Sequence, residues 1–138
     1  MKAAYLVTET EEAAHFLKQL LPAELLQEIE VVSAKKKYSA VSLAGTIMSV
    51  RSRPVLLVVD ADSDNLAQAK EREQALMGYL LPAATRAPYQ VCVAVPSIAI
   101  IAQTFAQNPT AAQIHDLQQH PLVQRITQFL SSAFSQAS

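Results

Sequence analysis

Glycine occurs twice in this chain, cysteine once and tryptophan not at all. With only Gly45 and Gly78 available, no glycine-rich loop can cradle a phosphate. The lone Cys92 excludes an internal disulfide and a cysteine-rich zinc site, and its place in an apolar run predicts a buried, inert thiol. His15, His115 and His120 fall on separate helical segments without metal-ligand spacing, and no Ser/His/Asp set has a nucleophile elbow. Apolar runs stay well below the roughly 20 residues of a membrane-spanning helix, and acids appear too early at the N-terminus for a signal peptide. A cytoplasmic protein without membrane contact is the expectation. An excess of charge is lacking too: 11 Lys and Arg stand against 12 Asp and Glu, with a pI near 6.3. Any attraction to nucleic acid must therefore be local.

What is present is apolar bulk, 51% of 138 residues, enough for one domain with its own core and no need of disulfides or a structural metal. Aromatics are only 6%, which suits thin helices packed on a sheet better than a β-sandwich. The stretch 53–65, RPVLLVVDADSDN, organises the rest. Five consecutive aliphatics after Pro54, without alternation, predict a strand buried on both faces, as in a parallel sheet covered by helices. Pro54 opens it harmlessly because its missing N–H falls at the strand's first residue.

Similar apolar runs at 2–8, 29–33 and 89–95 predict three more strands, and the segments between them carry helical spacing. Helices are expected over 9–21, with Thr8 and Glu11 as a capping box, over 38–50 and over 65–81, where Lys70, Glu71, Arg72 and Glu73 form a mostly solvated face. After Pro96, Ile98, Ile101, Ala102 and Phe105 trace a further helix, and Asn108-Pro109 and His120-Pro121 mark two more helical starts. The fold class is α/β: a small four-stranded, mostly parallel, Rossmann-like sheet with helices on both faces, one domain over 1–138, its core at about 1–105 and a C-terminal helical extension at about 106–135.

Alternation delivers the residues after each parallel strand to one edge. That edge receives Glu9, Glu11 and Glu12, then Lys35, Lys36 and Lys37, then Asp60, Asp62 and Asp64, so six of the 12 acids collect there. Such a group needs a cation, a proton or neighbouring lysines to offset its repulsion, and hard oxygen ligands suit Mg²⁺ or Mn²⁺. Glu11 and Glu12 are explained by a helix's first turn, and one of Asp62 and Asp64 by a helix cap. Asp60 is the foremost functional candidate, with Glu9 next. Lys35, Lys36 and Lys37 lie at the start of a helix, where the dipole does not favour them; a solvated loop or a phosphate contact accounts for them. The spacing of Asp60, Asp62, Asp64 and Glu71 imitates a calcium loop, but Asn65 stands where that loop needs glycine and no helix precedes it.

In this order and strand context the motifs resemble the TOPRIM domain of topoisomerases, bacterial primases, ribosomal-RNA maturases and overcoming-lysogenization-defect nucleases. YLVTETEEAAHFL is similar to that family's first motif, with Glu9 in the glutamate place, and VLLVVDADSDN to its Asp-x-Asp motif, with Asp60 and Asp62. The resemblance covers about 1–105. It implies a Mg²⁺ or Mn²⁺ site at Asp60 and Asp62, with Asp64 close by, Glu9 as ligand or general acid/base, and nuclease-like phosphoryl transfer on nucleic acid. Thr10 stands where the family has glycine, and Pro96-Ser97 where stand-alone nucleases carry another acid. The other reading is thus a degenerate TOPRIM-like accessory module that binds a protein partner, such as an ATPase, through its C-terminal helices. Oligomeric state, homo-oligomers included, is left open by the sequence.

Overall fold

Four strands, β1 (Ala4–Thr8), β2 (Ile29–Ser33), β3 (Val55–Asp60) and β4 (Tyr89–Ala94), pair in parallel in the order β2-β1-β3-β4 in the computed structural model. The structure describes residues 3–35, 39–51, 53–83, 87–95, 97–98, 101 and 110–137, with side chains through residue 132. β1 and β3 form the centre, and every β3 residue from Val55 to Val59 is at most 3% exposed. That explains the run of β-branched and leucine residues without alternation, since both faces meet helices.

Successive side chains divide the core by parity. Ala4, Leu6, Leu56, Val58, Cys92 and Ala94 point to one layer, where they meet helices α1 (Glu11–Leu20), α2 (Ala23–Glu28) and α6 (Pro121–Ala137), with α5 (Ala111–Gln118) packed against it. Tyr5, Val7, Val55, Leu57, Val59 and Val91 point to the other, covered by α3 (Ala40–Arg51) and α4 (Leu66–Leu80). The α/β class, the parallel sheet and the two helical layers are as the sequence predicts. No described helix is long and apolar enough to cross a membrane.

Helix starts differ from the expected ones in an instructive way. α1 begins at Glu11 and is capped by Thr10, whose hydroxyl accepts from the Ala13 N–H at 3.1 Å. Thr8 is still a strand residue and donates its hydroxyl to the Thr10 carbonyl, so the expected Thr8/Glu11 capping box does not form. Glu9 is thereby left in the turn between strand and helix. Neither Asp62 nor Asp64 caps α4; Asn65 does, accepting from Ala67 and Gln68 N–H groups. Pro121 does open α6, as its fixed φ and missing N–H favour. Pro109 and the rest of 102–109 lie outside the described residues, and the capping box of α5 is Thr110 with Gln113.

α6 is integral to the core. Leu122, Val123, Ile126 and Leu130 are buried in the same cluster as Leu6 and Leu56. Arg125 on its flank donates to Glu73 of α4 at 2.9 Å, joining helices from opposite faces around the outer edge of β4. Cys92 is fully buried beneath this pair, and burial first, with the Glu73 charge, pushes its thiol up to about 11. A raised folded pKa means that stability from the protonated thiol is present below the unfolded value of 9.0 and lost as pH rises towards about 11. At pH 8 a disulfide-exchange reagent should therefore label the native protein only as fast as it unfolds, and urea should release full labelling; prompt labelling of folded protein would contradict this burial.

Candidate functional site at the β1–β3 edge

The chain turns back at β1, with β2 on one side and β3 on the other, so the gap outside the carboxyl ends of β1 and β3 is the topological switch point at which open α/β sheets bind ligands. Glu9 and Asp60 occupy it. Glu9 follows Tyr5 and Val7 in parity and meets α4, whereas Asp60 follows Leu56 and Val58 and turns to the α1 and α6 face. Both nevertheless line one cavity of about 290 Å³, together with Thr10, Glu12, Ala13, Phe16, Val58 and Ile98.

Glu9 is 4% exposed. Its Oε1 accepts from the Asp60 main-chain N–H at 2.8 Å, a bond that ties the β1 turn to the last residue of β3. Oε2 is buried and makes no hydrogen bond; the nearest cation is Arg72 of α4, whose guanidinium nitrogen stands 3.9 Å away. Asp60 uses Oδ1 to accept from the Ile98 N–H at 2.8 Å. Ile98 and Ile101 are helical, and the Ile101 N–H donates to the Ser97 carbonyl, so Asp60 caps from a distance the helical segment that follows β4. Ser97, the position without an acid, therefore lies beside the site.

The other expected residues are more dispersed. Asp62 and Asp64 are exposed on the loop beyond β3, and Asp62 adopts a left-handed backbone, φ 57°, which Asp tolerates better than most residues. Lys35 is exposed at the tip of β2, beside β1, with φ 68° and its N–H donated to the Ser33 hydroxyl. Lys36 and Lys37 lie outside the described residues. Glu11 and Glu12 are exposed in the first turn of α1, Glu12 at the cavity rim. Among the described residues, no three His, Cys, Asp or Glu side chains form a group that could hold a metal ion.

Arg72 is the residue the sequence reading misplaced, as part of a solvated face. It is on the stripe of Ala69, Leu76 and Leu80, the apolar side of α4, and a charged residue on such a stripe is the signal that it has a partner at the strand tips. Compared with family models, with curated proteins and with solved structures, the chain matches none. What the site does must be read from its own residues.

The bond from Asp60 to Ile98 is a helix cap in all but sequence distance, so Asp60→Ala should lower the unfolding free energy by about 1 kcal/mol, whereas Asp60→Asn, an equally good cap, should cost little. Urea denaturation of both variants checks this; equal losses would show that the cap is not what Asp60 contributes.

Proposed function

We propose that the β1–β3 edge is a divalent-cation site for TOPRIM-like phosphoryl transfer on nucleic acid, with Asp60 and Asp62 as cation ligands, Asp64 close by, and Glu9 as ligand or general acid/base. One observation carries the reading: Glu9, which lines a cavity together with Asp60 at the switch point, has a buried carboxylate oxygen, Oε2, without a hydrogen bond. Burying an anionic oxygen with no hydrogen bond, and with only the Arg72 guanidinium at 3.9 Å to offset it, is expensive, and a directly bound cation would lower that cost. Two carboxylates suffice for Mg²⁺, which keeps several waters and takes its remaining ligands from substrate phosphates. Glu9 and Asp60 are hard oxygen donors of the kind that Mg²⁺ and Mn²⁺ take, although among the described residues no third acid or histidine completes a group with them. A cavity of about 290 Å³ has room for a hydrated ion and a phosphate group.

When bound, the cation would polarise a phosphoryl oxygen and lower the pKa of a bound water. The protein's own contribution is to fix the two carboxylates. Asp60 is held by the Ile98 N–H, and Glu9 by the Asp60 N–H, so neither pays rotamer entropy when a ligand arrives. Glu9 has one oxygen left to take a proton or a ligand. Lys35, with Lys36 and Lys37, would contact the phosphate backbone outside the cavity.

The accessory-module reading is favoured by a different observation. Val50, Tyr79 and Leu81 are each more than 60% exposed, and Val50 and Tyr79 line a groove of about 500 Å³ between α3 and the end of α4. This surface offers a protein partner apolar contacts in addition to those of the C-terminal helices, where Leu122, Val123, Ile126 and Leu130 of α6 are already buried in the core.

Thermal melts with and without Mn²⁺, beside a nuclease assay on single- and double-stranded DNA and RNA, test the primary reading. At 100-fold excess over the dissociation constant, Mn²⁺ should stabilise the wild type by about 2.7 kcal/mol and Asp60→Asn much less. Cleavage should collapse in Asp60→Asn while folding persists. Changing Lys35, Lys36 and Lys37 to Gln should flatten the salt dependence of nucleic-acid binding without affecting the Mn²⁺ shift. An equal shift in wild type and Asp60→Asn, with no cleavage by either, would transfer support to the accessory module.

A further inference from the structure

A buried carboxylate and a partly buried guanidinium face each other at the strand tips without a hydrogen bond between them. Glu9 Oε2 has none, Arg72 Nε has none, and the guanidinium stands 3.9 Å from the carboxylate. Arg and carboxylate that form a finished clasp close to about 2.7–2.9 Å in a two-pronged contact. This pair stops about 1 Å short of that. Glu9 is fixed by its bond to the Asp60 N–H, and Arg72 projects from α4, whose Ala69 and Leu80 are buried.

A donor fork left open beside a carboxylate calls for a ligand that accepts from the arginine and tolerates the acid. An oxyanion whose charge is balanced by a cation on Glu9 and Asp60 meets both conditions. We propose that Arg72, which stands 3.9 Å from Glu9 and outside the lining of the cavity, is the oxyanion-binding residue beside this site, holding a phosphate group at the α4 border of the Glu9–Asp60 pair. The proposal rests on the cation reading above: with the cation compensating Glu9, the guanidinium is released to a phosphate oxygen, and its planar fork supplies two parallel N–H donors. Arg72 is 28% exposed at its side chain while its Nε is buried, so a ligand meets the two terminal nitrogens of the guanidinium. The same chemistry serves a phosphodiester in nucleic acid or a free phosphate.

Calorimetry on the full chain separates these cases, with three probes: Mg²⁺ alone, a short oligothymidylate without terminal phosphates, and inorganic phosphate, the last two with Mg²⁺ and with chelator. Arg72→Gln is expected to weaken oligothymidylate binding about tenfold and to lower its salt slope by about one, while Mg²⁺ binds as well as before or more tightly because a competing charge is gone. Loss confined to inorganic phosphate also supports the role and names free phosphate as the source. Unchanged affinity for both anions, with Mg²⁺ binding intact, overturns the role of Arg72 and leaves the cation site standing. If wild type ignores Mg²⁺ yet loses either anion on Arg72→Gln, the cation reading fails and Arg72 stands alone as the anion site. Wild type that binds neither anion overturns the proposal. Should Arg72→Gln not fold, Arg72→Lys keeps charge and stem: weaker anion binding at unchanged Mg²⁺ affinity supports the proposal, and unchanged anion binding overturns it.

Discussion

A parallel strand covered by helices on both faces can carry polar side chains only at its ends. β3 obeys this without exception, apolar from Val55 to Val59 and then ending in Asp60. β1 does so as well, with Glu9 just past its last residue. The two carboxylates are thus forced to the same border by the need to keep charge out of the core, and the pairing of β1 with β3 makes them neighbours. The Glu9 bond to the Asp60 N–H then converts proximity into a fixed arrangement. Cavity, helix cap and the arginine of α4 are all built around that bond.

Local preference and this global constraint agree along most of the chain, which is why the four strands and the helical layers were legible. Strand order was not, because nothing in a strand's own composition states its neighbour. Helix starts were misread where two capping residues compete within a few positions. Thr8 and Thr10 both suit a cap, and Thr8 was lost to it by pairing in β1 opposite Ser33 and Val58. Asp62, Asp64 and Asn65 all suit the next cap, and the one adjacent to the helix took it.

The candidate site was legible as far as Glu9 and Asp60, since both follow from the alternation of strands and helices. Arg72 was not, because its partner is 63 positions away in the chain and only the packing of α4 brings them together. The role of Asp60 towards Ile98 was equally hidden: it spans 38 positions and depends on the β3–β4 register, which sets Asp60 opposite Ala94. Charged residues on apolar stripes, and acids at the tips of buried strands, are the two patterns by which sequence does announce such contacts.

The Glu73–Arg125 pair has a consequence for how the sheet meets other chains. By linking α4 to α6 around β4, it places two charged side chains at that border of the sheet, where they oppose the approach of a further strand. The opposite border is β2, where Glu30 is exposed and Val31, Val32 and Ser33 are only half-buried. Main-chain groups there can template another strand, and the charge of Glu30 in the middle of the border opposes that templating. The two margins of the sheet therefore differ, an ion pair spanning one and a single acid standing on the other. Among the described residues, β2 is the border whose main chain is placed to meet another strand.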